Sequence, residues 1–147
     1  MKLTTLNTIA STLNNAGYLA KESDNAVFVD LLHDGKAYPT VLSLQEEALH
    51  VTCQLGQISD FDQDQLSLVA INSLAANVEM LPYAFAIVKP SGKADAEAVG
   101  ESPLVLINSV PVEDLSEEEL LWALRKLQSA LIAGCCAISA AVTVSAE

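Results

Sequence analysis

The sequence predicts an α+β fold: an antiparallel sheet of five or six strands with three helices, in the order α-β-β-β(-β)-α-β-β-α. Apolar residues recur at helical spacing near both ends of the chain and once in the middle. Alternating runs lie between these segments, and two of them flank Asp34-Gly35, a pair typical of tight hairpins. A run of antiparallel strands bracketed by helices favours helices packed on one face of the sheet. The length of 147 residues and an apolar content of 51% predict a single domain over residues 1–147.

The first helix and the hairpin follow from local signals. A helix is predicted over residues 3–16, where apolar residues lie on one face, and Gly17 is a typical C-terminal stop. Residues 26–33 and 37–44 are predicted to pair antiparallel, because both residues of Asp34-Gly35 tolerate the positive φ of a type I′ turn.

The middle of the chain continues the sheet and adds a helix. A-L-H-V-T-C-Q-L predicts a third strand of the meander. Its predicted core face carries Leu49, Val51, Cys53 and Leu55. A second helix is predicted from Gln63 to about Met80, and Pro82 ends it. Y-A-F-A-I-V-K and P-L-V-L-I-N-S-V predict two further strands, separated by a turn at S-G-K and a polar loop at A-D-A-E-A-V-G-E.

The last helix begins at a capping box. Ser116 is the predicted N-cap and Glu119 occupies the third helical position, while further glutamates favour the same end through the helix dipole. The predicted core stripe consists of Leu120, Leu124, Leu127 and Leu131. Trp122 falls off this stripe, so it is a candidate contact residue or a side chain covered by a neighbouring loop.

Two stretches resemble a known family. L-L-H-D-G-K-A-Y-P-T-V-L-S-L and V-P-V-E-D-L-S-E-E-E-L-L-W-A-L are similar to segments of a small uncharacterised bacterial family, often encoded beside proteins similar to phage-shock protein A. The order of elements also resembles the type III secretion chaperone-like fold. The resemblance implies a partner similar to phage-shock protein A. Its motifs are turns and caps, so it implies no catalytic residue.

The charge balance restricts the class of partner. Seven basic and nineteen acidic residues give a net charge of -12. We therefore expect no nucleic-acid binding, which depends on basic side chains that displace counterions, and we expect a basic protein partner instead. The mean hydropathy of +0.34 is high for a soluble protein and indicates apolar surface shared with a partner.

The cysteines and the chain ends indicate a cytoplasmic protein. The three cysteines are not spaced as C-x-x-C, and the N-terminus lacks the apolar run of a signal peptide. Residues 127–146 carry no charge, yet they are mostly small residues and are less apolar than a leucine-rich span. We expect no direct membrane insertion, and a membrane adaptor that uses this tail is the alternative.

The stretch S-D-F-D-Q-D-Q-L, residues 59–66, places aspartates at alternate positions, as a calcium loop does. A loop beginning at Asp60 requires glycine at its sixth position and glutamate at its twelfth, where the chain has Gln65 and Ile71. We therefore expect Asp60 or Asp62 to cap the second helix, with Asp64 in its first turn. The histidines and cysteines do not form a ligand set in the predicted strands, so no metal or cofactor site is predicted.

No motif assigns a reaction. The chain lacks a G-x-S-x-G elbow, and its carboxylates lie mainly in predicted caps, turns and loops. A non-enzymatic, chaperone-like or adaptor module that binds a basic or amphipathic partner segment is therefore the first hypothesis. A small enzyme with a carboxylate site assembled from distant residues is the alternative.

The second helix carries more apolar surface than packing on a sheet requires. One stripe consists of Leu66, Ala70, Leu74 and Val78, and a second consists of Leu68, Ile71 and Ala75. Either this helix is buried deeply in one core or its second stripe is an interface. For the interface we expect a homodimer in which Leu68, Ile71 and Ala75 meet their copies across a two-fold axis, and Trp122 is the further candidate contact.

Overall fold

The computed structural model describes residues 5–88 and 102–145. The predicted turn S-G-K and polar loop A-D-A-E-A-V-G-E lie outside the described residues. The elements are α1 (Leu6–Asn15), β1 (Ala20–Glu22), β2 (Ala26–His33), β3 (Lys36–Gln45), β4 (Ala48–Gln57), α2 (Gln63–Ala76), β5 (Ala84–Ile87), β6 (Pro103–Pro111) and α3 (Glu117–Ser145). Short 3-10 turns precede and follow α2, at Ile58–Asp60 and Asn77–Glu79.

The predicted α+β fold and its order of elements are confirmed, with six strands in one antiparallel sheet. The strand order is β1-β2-β3-β4-β6-β5, so β6 lies between β4 and β5. The short strand β1 supplies the fourth strand before α2 and forms one edge of the sheet, where Lys21 pairs with Phe28. The strand β5 forms the other edge.

The predicted hairpin between β2 and β3 is confirmed. Asp34 and Gly35 have φ values of 53° and 78°, as a type I′ turn requires, and His33 pairs with Lys36 across it. The first helix is shorter than predicted, because Thr5 is its N-cap and accepts a hydrogen bond from the backbone N–H of Thr8 at 3.2 Å.

The core lies between one face of the sheet and the helices α1 and α3. The predicted core residues of β4 are buried, and so is the predicted stripe of α3, whose residues Leu120, Leu124, Leu127 and Leu131 are 0% exposed. The helix α3 passes close to β5 at Gly134. A Cβ added at this position would lie 3.2 Å from the ring of Phe85. The capping box of α3 is also confirmed, since Glu119 N–H donates to Ser116 Oγ at 3.1 Å.

Candidate protein-binding surface

The helix α2 packs on α3 rather than across the centre of the sheet. Only Val69 and Ser73 are buried among its 14 residues, and the Asn72 side chain donates a hydrogen bond to the carbonyl oxygen of Ala137 on α3 at 3.3 Å. This narrow contact leaves most of the helix surface in solvent. The explanation of α2 as a deeply buried helix is therefore wrong.

The exposed side of α2 is apolar over its last two turns and into the following 3-10 turn. We call this surface the outer face of α2; it consists of Ile71, Leu74, Ala75 and Val78. The exposed fractions of Ile71, Leu74 and Val78 are 63%, 71% and 76%. The chain carries no charged residue between Asp64 and Glu79. The outer face is therefore an apolar and uncharged surface on a strongly acidic protein.

The four candidate contact residues lie in three places. Ile71 and Ala75 belong to the outer face of α2, whereas Leu68 is half-buried against the small cluster of Val69, Leu104 and Ala141. Trp122 lies on the N-terminal half of α3, about 22 Å along that helix from the residues that contact α2. It is 47% exposed, and the Lys126 ammonium lies 5.6 Å from its ring centroid.

An apolar groove separates α2 from the edge strand β5. We call it the α2–β5 groove; α2 contributes Leu66, Ala70 and Ser73, and the strands contribute Phe85, Ile87 and Leu104. Its volume of about 320 Å³ is comparable with small ligand sites. The Ser73 hydroxyl is buried beside it and has no hydrogen-bond partner among the described residues. Leu66, Ala70 and Leu74 of the first sequence stripe line this groove and Val78 does not. No local signal in the sequence indicated a groove or its strand side.

The open edge of β5 is partly closed by a side chain. Val88 N–H donates to the carbonyl oxygen of Pro103 on the β6 side, so the N–H groups of Phe85 and Ile87 point to the opposite edge. There, Phe85 N–H donates to Asn77 Oδ1 at 2.7 Å. This contact occupies one of the two outward-pointing N–H groups of β5 and leaves that of Ile87.

Acidic residues lie at both ends of α2. Asp62 is its N-cap and accepts a hydrogen bond from Gln65 N–H at 2.8 Å, which confirms the predicted cap, and Asp64 follows in the first turn. Glu79 lies beyond the other end. From residue 37 to residue 88 the sequence has no lysine or arginine, and Lys89 lies outside the described residues. The described residues at the two ends of α2 are therefore acidic, and residues 37–88 supply no basic side chain that could neutralise them.

The first aspartate of the calcium-like stretch also has a capping role. Asp60 Oδ2 accepts a hydrogen bond from Gln57 N–H at 2.9 Å and so caps the 3-10 turn before α2. Within residues 5–88 and 102–145, no group of three histidine, cysteine or acidic side chains is placed to hold a metal ion.

Two further side-chain pairs, Cys135 with Tyr38 and His50 with Ser109, make polar contacts. Cys135 Sγ donates to the Tyr38 hydroxyl at 3.4 Å, and this contact together with burial raises the pKa of Tyr38 to about 12. Burial raises the pKa of the Cys53 thiol to about 11.

His50 Nδ1 lies 2.8 Å from Ser109 Oγ on the uncovered face of the sheet, but no described carboxylate hydrogen-bonds to His50. This pair lacks the third group that orients a catalytic histidine.

The helix α3 has the length and composition of a membrane-crossing helix. Its segment Glu117–Val142 has a mean hydropathy of 1.2, and a third of the tested window is buried. The buried leucines of this segment pack on the sheet, as those of a core helix do.

The fold and the outer face of α2 together define a small α+β protein with an exposed apolar surface on one helix. No protein-family model matches the chain, and no curated protein matches it. Among solved structures it is similar to YbjN from E. coli, which has been proposed to be a transcription regulator. The TM-score is 0.65 at 15% sequence identity, over 97% of this chain and 94% of that chain. This likeness shows a shared fold.

Proposed function

We propose that the protein is a non-enzymatic, cytoplasmic protein-binding module of the chaperone or adaptor kind. It forms a homodimer through the outer face of α2 and engages a basic or amphipathic segment of another protein. The observation that carries this proposal is the outer face itself, since a contiguous, uncharged apolar patch on a protein with a net charge of -12 is typical of a protein contact.

The size and chemistry of the outer face suit a second copy of the chain. Its exposed side chains amount to on the order of 500 Å² in each chain, so a two-fold contact reaches about 1,000 Å², the lower end for a specific interface. Ile71, Leu74 and Val78 follow the spacing of a helix-to-helix seam. The outer face carries no charge, which favours a two-fold contact. A two-fold axis places each residue near its own copy, so a charged residue there would be repelled by its copy.

The overall charge supports a basic partner for the dimer. Each chain has a net charge of -12, so two copies create a strong negative field that attracts lysine-rich and arginine-rich segments. A protein similar to phage-shock protein A is the specific partner that we propose, and the sequence resemblance alone supports that choice.

Sedimentation velocity of the wild-type protein over a wide concentration range tests the dimer. We expect a dimer whose population rises with concentration. Titration with the purified phage-shock protein A-like protein from the same organism tests the partner, and we expect binding that weakens as salt is added. A chain that stays monomeric at high concentration contradicts the dimer. A partner that fails to bind at low salt contradicts the choice of partner.

A further inference from the structure

We propose that the α2–β5 groove binds two apolar side chains from one face of a basic amphipathic helix in the partner. This inference rests on the proposed function, because it assigns the place where the partner segment docks. The groove adjoins the outer face of α2 and shares Leu74 with it, so the dimer contact and the partner contact use neighbouring surfaces.

The dimensions of the groove set the number of side chains that it accepts. The residues of α2 that line it run from Leu66 to Leu74, a distance of about 12 Å along the helix. Apolar residues three or four positions apart on a partner helix lie about 5–6 Å from each other, so two of them fit along this length. The groove walls are almost entirely apolar, and they therefore suit aliphatic or aromatic side chains.

The edge of β5 favours a helix over an added strand. A strand would pair with the outward-pointing backbone groups of β5, but the N–H of Phe85 already donates to Asn77 Oδ1. A partner helix satisfies its own backbone and contributes only side chains, which is what this groove accepts.

Charge around the groove specifies the rest of the partner helix. The exposed carboxylates of Asp62 and Asp64 lie within about one turn of Leu66, and Glu79 follows the other end of α2. Lys36 lines a surface cavity together with Asp60 and Phe61, and its ammonium lies 5.2 Å from the centroid of the Tyr38 ring. A helix with lysine or arginine flanking its apolar face is therefore complementary to the ends of the groove.

The test uses three synthetic peptides and fluorescence anisotropy. The first is a helix-forming peptide with leucines on one face and lysines elsewhere. The second has glutamates in place of the lysines, and the third has glutamines in place of the leucines. We expect the first peptide to bind at least about tenfold more tightly than either of the others, a difference of about 1.4 kcal/mol or more.

Two matched variants locate the site. Ala70→Leu fills the groove from its helix side, and Ala37→Leu makes the same change on β3, outside both the groove and the outer face of α2. Both alanines are exposed, so both variants should keep the fold, which circular dichroism verifies. We expect Ala70→Leu to weaken binding of the first peptide at least about tenfold and Ala37→Leu to change it less than about twofold. Ile87→Lys, on the strand side, should weaken it as well, because Ile87 is 48% exposed and a lysine there repels a basic helix.

The outcomes separate this inference from the proposed function. If the first peptide binds the wild type and Ala70→Leu equally well, the groove assignment is wrong while the binding module stands. Equal binding of the lysine and glutamate peptides overturns the basic partner. If no peptide binds but dodecanoate binds the wild type and not Ala70→Leu, the groove takes a small apolar ligand and the helix is wrong. If nothing binds and the wild type is monomeric, the proposed function fails together with the inference.

Discussion

The substitution Ile71→Asp places a carboxylate within the outer face of α2. Ile71 is 63% exposed in the single chain, so the substitution removes little from the core and should change the free energy of unfolding of the monomer by less than about 1 kcal/mol. In a two-fold dimer, however, Ile71 and its copy become buried near each other. The same substitution then affects association far more than it affects folding.

The magnitude follows from the exposed fraction. Complete burial of an isoleucine side chain contributes about 1.5–3 kcal/mol. Because Ile71 is 63% exposed in the single chain, roughly two thirds of this free energy is gained only on association. Two copies therefore lose about 2–4 kcal/mol of association free energy. Desolvation and repulsion of the two carboxylates add at least about 1–2 kcal/mol. We expect the dimer dissociation constant to rise by about a hundredfold or more.

Sedimentation velocity measures the loss of the dimer, and circular dichroism with thermal unfolding verifies that the variant is folded. Leu19→Asp is the matched control: Leu19 is 84% exposed before β1, at the opposite edge of the sheet, and the charge change is the same. It should leave the dimer intact. A folded Ile71→Asp dimer shows that the outer face lies outside the interface, and an unfolded variant shows that Ile71 contributes to the core.

Four further predictions concern the groove, the cap and the thiols. Ser73→Ala should raise the free energy of unfolding by about 1 kcal/mol in chemical denaturation, because the buried hydroxyl lacks a hydrogen-bond partner among the described residues. The control Ser67→Ala, at an exposed serine, should change the free energy of unfolding little. A destabilised Ser73→Ala variant contradicts this prediction. Asp62→Ala should lower the free energy of unfolding by about 1 kcal/mol, because it removes the N-cap of α2. Calorimetric titration of the wild type with calcium should show no saturable heat. Saturable calcium binding that Asp62→Asn abolishes contradicts a purely capping role. At pH 8 exposed Cys136 should react rapidly with a disulfide reagent while buried Cys53 should not, and rapid labelling that survives Cys136→Ser contradicts this assignment. Burial raises the pKa of Cys53 from 9.0 to about 11, so its contribution to stability is fully present below pH 9 and is lost as the pH rises through 11, which denaturation at several alkaline pH values measures.

Features with a local cause could be predicted from the sequence. The β2–β3 turn follows from two residues that tolerate positive φ, and the start of α2 follows from Asp62, whose side chain accepts the hydrogen bond of a nearby N–H. The four leucines of α3 predict its buried side, because a single periodicity places them together.

Features that depend on distant contacts could not be predicted in this way. The placement of β6 between β4 and β5 is decided by pairing over long sequence separations, and no residue within either strand encodes it. The position of α2 on α3 has the same origin, since Asn72 bonds to Ala137, 65 residues away. For this reason the sequence stripes of α2 did not show that Leu68 turns toward α3, or that Ala70 faces a groove.

Site-specific photo-crosslinking tests most directly whether the outer face of α2 is a protein contact surface. A benzophenone-bearing amino acid replaces Ile71 in one purified sample and Leu19 in another, and both are irradiated at a concentration where the wild type is dimeric. We expect a covalent dimer from position 71, joined to α2 of the second copy, and little crosslinking from position 19. Equal crosslinking from both positions, or a product from position 71 joined to residues outside α2 and its adjoining turn, would contradict it.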